Sequence, residues 1–523
     1  MQLNLTFLVF AAILINSSQC LRILTVFFSP GMSHYILGSK LVKGLLNAGH
    51  EVTMISPFEM KDVPKNGTLK DIVLTELSEQ FQNSRTTNNM FNIGDQGLID
   101  MIKMMTKMFV DYSNNTIHHP KVQKLLKSNQ KFDLVIQEQF NNDGLKAFAH
   151  FYNCPLITLS SMGPNAWVNP TVGNPQPVSY APHLLLGDFS KDLSFINRAK
   201  NLFMFFADYL LTTLYVLPSH EEYMLQAFPN SPPISELYTN VSLVLLNSHT
   251  SIYPALPIVP NMVEIGGYFI DPPKKLPKEL QEYLDNAKDG VVYFSMGSNL
   301  RSKDMASERK QLIVNVLGKL KEKVLWKFEE DLPGTPANIM IQTWLPQQDV
   351  LAHPSIKLFI THGGLLSTTE TIYHGVPVLA IPVFGDQDSN ADRAVASGFG
   401  LKLSYNDPNF TEQSLAEKIN ELLRNPKYKE NAKLRSNLFH DRPMTPMETA
   451  VYWVEYVARH RGAPHLSVAG KNLPWYKYFM VDVLGAILLI VLSVLWFITF
   501  VFEKVFFRNR EQQRKRSKKQ KTN

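Results

Sequence analysis

Cysteine is almost absent: there are two in 523 residues, Cys20 and Cys154. Cys20 sits at the edge of a segment that reads as cleavable, so Cys154 has no partner and no intrachain disulfide is expected. The fold must rest on its core, and 45% hydrophobic residues in a chain this long can build one. No Cys/His cluster with metal-site spacing occurs, nor any repeat at a solenoid period. The body also lacks excess positive charge. Residues 503–523 carry nine Lys/Arg against two Asp/Glu, a net of +7, so the whole-chain +6 leaves residues 1–502 at −1. The basic pI belongs to the tail, and nucleic-acid binding by the folded part loses its main support.

What is present begins at the ends. Leu5 to Ile15 is almost wholly apolar and Ser18-Gln19-Cys20 offers small residues, which predicts a secretory signal peptide over 1–20 despite an uncharged start. Val483 to Phe502 is an uncharged apolar run, long enough to cross a hydrocarbon core of about 30 Å. Trp475, Tyr476 and Tyr478 precede it and Trp496 lies within it, as in an interfacial aromatic belt. The basic tail, 503–523, is expected in the cytosol and the body in the lumen, a single-pass type I arrangement. Lys519 and Lys521 have the spacing of a dilysine-type endoplasmic-reticulum retrieval signal, which would engage cytosolic coat proteins; a plain stop-transfer anchor accounts for the charge but not the spacing. Asn66, Asn114, Asn240 and Asn409 each open an Asn-x-Ser/Thr sequon.

The body alternates strand and helix patterns. Arg22 to Phe28 reads as a strand, Ser33 to Ala48 as a helix stopped by Gly49, and Glu51 to Ile55 as a second strand, followed by strands at Asp133 to Gln137 and Pro155 to Leu159. The second half places strands at Val291 to Ser295, Val324 to Phe328, Ile339 to Gln342, Lys357 to Ile360 and Val378 to Ile381, with Leu401 to Leu403 a sixth candidate. Two parallel α/β sheets are the economical reading. The proline- and charge-rich Ile270 to Lys275 marks the boundary between domains 21–270 and 271–470.

The densest chemistry lies between Phe359 and Gln387, FITHGGLLSTTETIYHGVPVLAIPVFGDQ. A strand ending at Thr361-His362, a Gly363-Gly364 turn and a helix through Thr369 to Tyr373 place backbone N–H groups where a phosphate can sit. His362 adds a side-chain donor there, Glu370 can accept from paired ribose hydroxyls, and Asp386-Gln387 supplies a carboxylate and an amide after the next strand. Phosphate, diol and a second polyol describe a nucleotide-sugar site. Asp386 to Asp388 also forms a D-x-D pair able to hold manganese. The phosphate charge already has His362 and a helix end to meet it, and the Asp-Gln pair has sugar hydroxyls, so no metal is expected.

This segment, with Trp344-Leu345-Pro346-Gln347 upstream, resembles the donor-binding signature of the UDP-glycosyltransferase family. The resemblance extends through Phe294 to Ser298, His460 to Leu466 and the membrane anchor. The wording HGGLLSTTE and FDLVIQEQFNND is more similar to the insect branch than to the vertebrate glucuronosyltransferases. It implies two Rossmann-like domains facing across a cleft (the glycosyltransferase type B fold), an acceptor-binding domain before a UDP-sugar-binding one. It also implies a last body helix, Met447 to Arg459, crossing back to the first domain. The implied activity is inverting transfer of a sugar, glucose before glucuronic acid, from a UDP-sugar to a hydroxyl of a small lipophilic acceptor, in detoxification or metabolism. No permanently bound cofactor is implied, and the family leaves room for a homo-oligomer. A lipophile-binding protein that has lost catalysis is the competing class.

His34, in the turn Pro30-Gly31-Met32-Ser33-His34, sits where ligands bind in open α/β sheets and titrates near neutrality. Alone it reads as a helix-start residue; the resemblance places it on the family's catalytic base. Glu138 then falls where vertebrate relatives have the aspartate that orients this histidine, with Asp143 the alternative partner. By the same resemblance Trp344 stacks on uracil, Gln347 and Glu370 hold the ribose, and Ser295, His362, Gly364 and Ser367 hold the diphosphate. Lys327 stands where relatives often carry arginine, and Asp386 and Gln387 bind sugar hydroxyls. Residues Met90 to Tyr112, with Met101, Met104, Met105 and Met108, and Phe203 to Tyr215 read equally as core or as a pliable wall for varied lipophilic acceptors.

Overall fold

The computed structural model describes residues 20–87, 89–91, 98–187 and 193–521; the expected signal segment Leu5 to Ile15 lies outside them. Two units are distinct, Met1–Ser467 and Val468–Asn523. The first holds two wholly parallel sheets. One comprises β1 (Arg22–Val26), β2 (Glu51–Ser56), β3 (Thr68–Val73), β4 (Leu134–Glu138), β5 (Leu156–Ser160), β6 (Leu243–Leu246) and β7 (Met262–Glu264), in the order β3-β2-β1-β4-β5-β6-β7. The other comprises β8 (Val291–Ser295), β9 (Lys323–Lys327), β10 (Ile339–Gln342), β11 (Ile356–Thr361), β12 (Val378–Ala380) and β13 (Gly400–Lys402), in the order β10-β9-β8-β11-β12-β13. Central strands β4, β5, β6 and β8 are buried along their length, as parallel strands covered on both faces must be.

Each sheet reverses its strand order once among the central strands, between β1 and β4 and between β8 and β11. Diverging connections leave a crevice at such a switch point, where open α/β sheets bind ligands. Val26 pairs with Gln137 at the first and Ser295 with Thr361 at the second. His34, Glu138, Ser295 and His362, at or just beyond those ends, are among the residues singled out from the sequence.

Helix α1 (Met32–Asn47) follows β1 and buries Leu37, Leu41, Val42 and Leu45. Gly49 then turns the chain at φ +89°, a left-handed conformation that glycine adopts without strain. Helix α2 (Leu98–His118) and helix α3 (Phe195–Leu211) belong to the long excursions after β3 and β5. In the second half α4 (Leu365–His374) follows β11 and α5 (Gln387–Ala396) follows β12. Helix α6 (Pro446–Arg459) starts in a Thr445/Glu448 capping box. Its Ala450, Val454 and Val457 join Leu41 and Leu45 in one core. A Cβ on Gly44 would lie 2.1 Å from Met447 Sδ, so the Met447 side chain packs directly over this glycine where α6 meets α1.

In the second unit the expected span Val483 to Phe502 lies inside a longer helix, α7 (Val481–Gln520), which is long and apolar enough to cross a membrane and continues through the basic tail. One expectation needs correction. The stretch Phe203 to Tyr215 is neither core nor pocket wall: Phe203, Phe206, Tyr209, Leu214 and Tyr215 are exposed.

Candidate active site

His34 lies in the first turn of α1 at the carboxyl end of β1, and its Nδ1 is hydrogen-bonded to Glu138 Oε1. Glu138 ends β4 and is buried, and the Phe140 ring packs 4.9 Å from the imidazole. Asn142 holds the turn beneath, donating to Glu138 O at 2.7 Å and accepting from Phe140 N at 2.8 Å. Burial alone would lower the His34 pKa. The Glu138 charge and hydrogen bond, with the Asp386 charge, outweigh it and leave the imidazole above its ordinary value.

Asp143, the alternative partner, is committed elsewhere, with Lys146 Nζ at 2.8 Å and Gln139 Nε2 at 3.0 Å. Burial pushes the Asp143 carboxyl up, and the Lys146 ammonium more than offsets this. The geometry pairs His34 with glutamate, whose extra methylene spans the gap.

His34 opens into a cleft of about 770 Å³ also lined by Ser295, Lys327, Trp344, Gln347, His362, Gly364, Ser367, Glu370, Asp386 and Gln387. All the residues expected to meet the donor share this one cavity. Glu138 stands behind His34.

The His362 ring is wedged between two glycines: a Cβ on Gly297 would lie 2.5 Å from its Cε1, and one on Gly364 2.4 Å from its Nε2. Burial, then the Lys327 charge, lowers its pKa to about 4. Without a phosphate beside it the ring is therefore neutral, with an N–H available to donate. Thr368 N makes the first bond inside α4, to Gly364 O at 2.9 Å. The N–H groups of Leu365, Leu366 and Ser367 precede that ladder and carry the positive end of the helix. Ser295 Oγ accepts from Gly297 N at 3.2 Å and so shapes the facing turn.

Glu370, buried in α4, is held by two adjacent amides. Gln347 Nε2 donates to its Oε2 at 2.5 Å and Gln348 Nε2 to its Oε1 at 3.0 Å. Burial pushes its pKa up to about 7, against those two hydrogen bonds. Tyr293 donates to Gln347 Oε1 at 3.1 Å, fixing the amide's orientation. Trp344 stands 65% exposed at the rim, a free ring face suited to stacking, with Lys327 Nζ 5.9 Å from its centroid.

Asp386 accepts from Asn390 Nδ2 at 2.8 Å, and burial raises its carboxyl above the ordinary value. Gln387 Oε1 takes the amides of Val383 and Phe384 at 2.8 and 3.2 Å, which leaves Nε2 to donate into the cleft. Asp388 pairs with Lys402 at 2.8 Å, while Asp386 bonds Asn390; no group of three metal-type side chains forms among the described residues. Lys40 and Lys327, the described lysines lining the cleft, are paired with Asp271 and Glu329.

Met90, Met104, Met105, Met108, Phe109 and Trp167 form an apolar part of the wall. Those four methionines belong to the pocket; the Met101 side chain lies outside the described residues. Gln348, Tyr293 and Asn390 escaped the sequence reading. The doubled glutamine at 347–348 was the one available signal, since either residue could have faced Glu370.

Comparison with known proteins agrees with this geometry. Residues 24–517 match the UDP-glucoronosyl and UDP-glucosyl transferase family. A UDP-glycosyltransferase of Dactylopius coccus, UGT5, is 36% identical over 92% of this chain and 91% of its own. UDP-glucuronosyltransferase 2C1 of Oryctolagus cuniculus is 31% identical over 89% and 94%. Among solved structures, a UDP-glucosyltransferase from Polygonum tinctorium superposes with a TM-score of 0.56 at 17% identity, covering 85% of this chain and all of that one. The calicheamicin glycosyltransferase CalG4 gives 0.56 at 16% identity over 84% and 99%, and with these neighbours the two parallel sheets are the glycosyltransferase type B fold. The chain belongs to the UDP-glucoronosyl and UDP-glucosyl transferase family.

Proposed function

We propose that the protein transfers glucose from UDP-glucose to a hydroxyl of a small lipophilic acceptor, with inversion. The observation that carries this is the His34–Glu138 pair opening into the same cleft as Asp386, Gln387 and Glu370. The acceptor oxygen attacks the anomeric carbon as His34 takes its proton. The carbon–phosphate oxygen bond breaks on the opposite face, and UDP leaves with that electron pair. Glu138 stabilises the imidazolium. The α4 amides, the His362 N–H and the Lys327 ammonium receive the growing phosphate charge. Glu370 and Gln347 take the ribose, Trp344 the uracil, and Asp386 and Gln387 the sugar hydroxyls. One displacement converts an α-linked donor into a β-glycoside without a covalent intermediate.

Glucose is preferred over glucuronate because, with Lys327 assigned to the phosphate, the other described cleft-lining lysine, Lys40, is paired with Asp271, which leaves no further lysine or arginine among the described lining residues for a sugar carboxylate. A Dactylopius coccus relative 34% identical over 93% of this chain is named a UDP-glucosyltransferase. The Met-rich wall suits varied apolar acceptors, consistent with a role in detoxification. Side-by-side turnover with the two donors on a phenol panel tests the reading. Faster turnover with UDP-glucuronate would reverse the sugar, and UDP binding without any glycoside would favour a binding protein.

We further place residues 21–270 as the acceptor domain and 271–470 as the donor domain. After loss of the signal peptide, the body lies in the endoplasmic-reticulum lumen, anchored by Val483 to Phe502 with Lys519 and Lys521 in the cytosol.

A further inference from the structure

Helix α3 is built inside out. Polar side chains bond it to the body: buried Asn201 accepts from His183 N at 2.7 Å and donates to Val178 O and Ala181 O at 2.6 and 2.8 Å, beside Phe205, which packs on the His183 ring. Asp208 accepts from Trp167 Nε1 at 3.0 Å. Its outward side chains are apolar: Phe195 is 77% exposed, Phe203 68% and, in the π-helical turn Thr212–Val216 that continues α3, Leu214 71%. With Leu202, Phe206 and Tyr209, each three or four residues from the next, they form one exposed apolar stripe. A stripe from 195 to 214 runs about 30 Å at 1.5 Å per residue.

We propose that this stripe lies in the surface of a lipid bilayer, parallel to it, and opens the acceptor side of the cleft toward the membrane. The stripe cannot cross the bilayer, because its other face is bonded to the body through Asn201 and Asp208. Three observations select lipid. Among the described residues of 195–214, the exposed charged side chains, Arg198 and Lys200, are both basic and suit headgroup phosphates. Tyr209 and Tyr215 offer the amphipathic rings that interfaces favour. The chain also carries α7, which begins shortly after Ser467, so the body is tethered within reach of a bilayer. This last point rests on the anchor reading above. The inner face of α3 braces Trp167 and the 181–186 segment, and Trp167, Leu184 and Leu185 line the cleft. Lipid at the outer face thus lies one helix away from the acceptor wall.

The test uses the full-length chain in phosphatidylcholine–phosphatidylserine vesicles doped with a diazirine-tagged phospholipid, with photolabelled peptides mapped by mass spectrometry. Label on both 195–214 and 481–502 is expected. Label confined to 481–502 leaves the anchor standing and overturns the surface. Label on 195–214 without 481–502 supports the surface and removes the anchor, and label on neither overturns both. Crosslinks from 195–214 to a second copy instead of lipid would also overturn the proposal. The Phe203→Glu/Leu214→Glu double variant, checked for unchanged UDP affinity, should lose at least fivefold in label on 195–214. It should raise KM severalfold for a membrane-partitioned acceptor and leave KM for a water-soluble phenol unchanged. An equal change for both acceptors would overturn the link to acceptor entry.

Discussion

Gln348 connects Glu370 to the chain segment that joins the two sheets. Its Nε2 donates to Glu370 Oε1 at 3.0 Å, while its Oε1 accepts the amide of Asp271 at 3.1 Å. Asp271 in turn pairs with Lys40 on α1. Glu370, the carboxylate proposed to hold the ribose, is thus tied, through one amide, to the linker and to the helix that begins beside His34, the proposed base. Replacing Gln348 with alanine should free both ends. A hydrogen bond to a charged group contributes about 1.5–3 kcal/mol, so the donor KM should rise at least tenfold with a smaller change in kcat. Donor titration and initial rates would check this; equal losses in both would place Gln348 in the chemical step.

For the base, His34→Ala should lower kcat by about 10²–10⁴-fold while UDP affinity stays within twofold. Glu138→Gln should also be severe, because an amide cannot stabilise imidazolium. Asp143→Asn should behave differently: it breaks the buried Asp143–Lys146 pair and should cost about 3–5 kcal/mol of stability. Thermal unfolding would report that loss, with turnover of the folded fraction near normal. Inactive but fully stable Asp143→Asn would reassign the partner of His34.

The pH dependence separates two groups. Glu370, pushed up to about 7 by burial, accepts ribose hydroxyls best when ionised, so UDP affinity should rise with pH through about 7. The sign for folding is opposite. The folded chain holds this proton more tightly than the unfolded one, so its contribution is fully present below the ordinary value of 4.5. It is lost as pH rises through about 7, by about 3 kcal/mol at full ionisation. His34 must be neutral to act, so kcat at saturating donor should climb along a limb above the ordinary 6.5. Glu138→Gln should move that limb to lower pH, because the group that raises it is gone. A UDP affinity flat from pH 5 to 9 would remove Glu370 from the ribose site.

The topology can be tested without activity. Asn66, Asn240 and Asn409 are exposed and Asn114 is half-buried, so glycan should be found on the first three before the fourth. Changing Lys519 and Lys521 to serine should let the protein leave the endoplasmic reticulum and acquire endoglycosidase resistance. Unchanged sensitivity would discard the retrieval signal, whereas digestion of the body in sealed microsomes would discard the lumenal placement.

Most of the architecture was readable because long apolar runs beside helix patterns have one economical solution. The strands overlooked explain themselves. Thr68–Val73 is a half-exposed edge strand with Lys70 and Asp71 in it, and Met262–Glu264 spans three residues at the other edge. Leu243–Leu246 is four apolar residues with no helix pattern leading directly into the next strand. Within the site, Glu370 and Asp386 stood out by residue type and by place beside a strand end, while His34 alone read as a helix-start residue and was singled out by the family resemblance. Gln348 and Asn390 were hidden because they act on other side chains, and such pairing is set by three-dimensional approach. The stretch 203–215 misled for a different reason. Periodicity shows that a helix has an apolar face but not which way it points, and Asn201 and Asp208 turn this one outward.

The docking of α6 onto α1 bears on how the protein is made. Ala450, Val454 and Val457 complete a core whose other members include Ile23, Phe27 and the α1 leucines. During synthesis the first sheet must therefore wait, its α1 surface uncovered, while the entire second half is translated. At ~5–20 residues per second that delay is roughly 10–40 s. Through this interval a nascent chain exposes an apolar groove around Gly44 and is a substrate for chaperones, and truncations ending before Pro446 should be degraded rather than accumulate as a free amino-terminal domain.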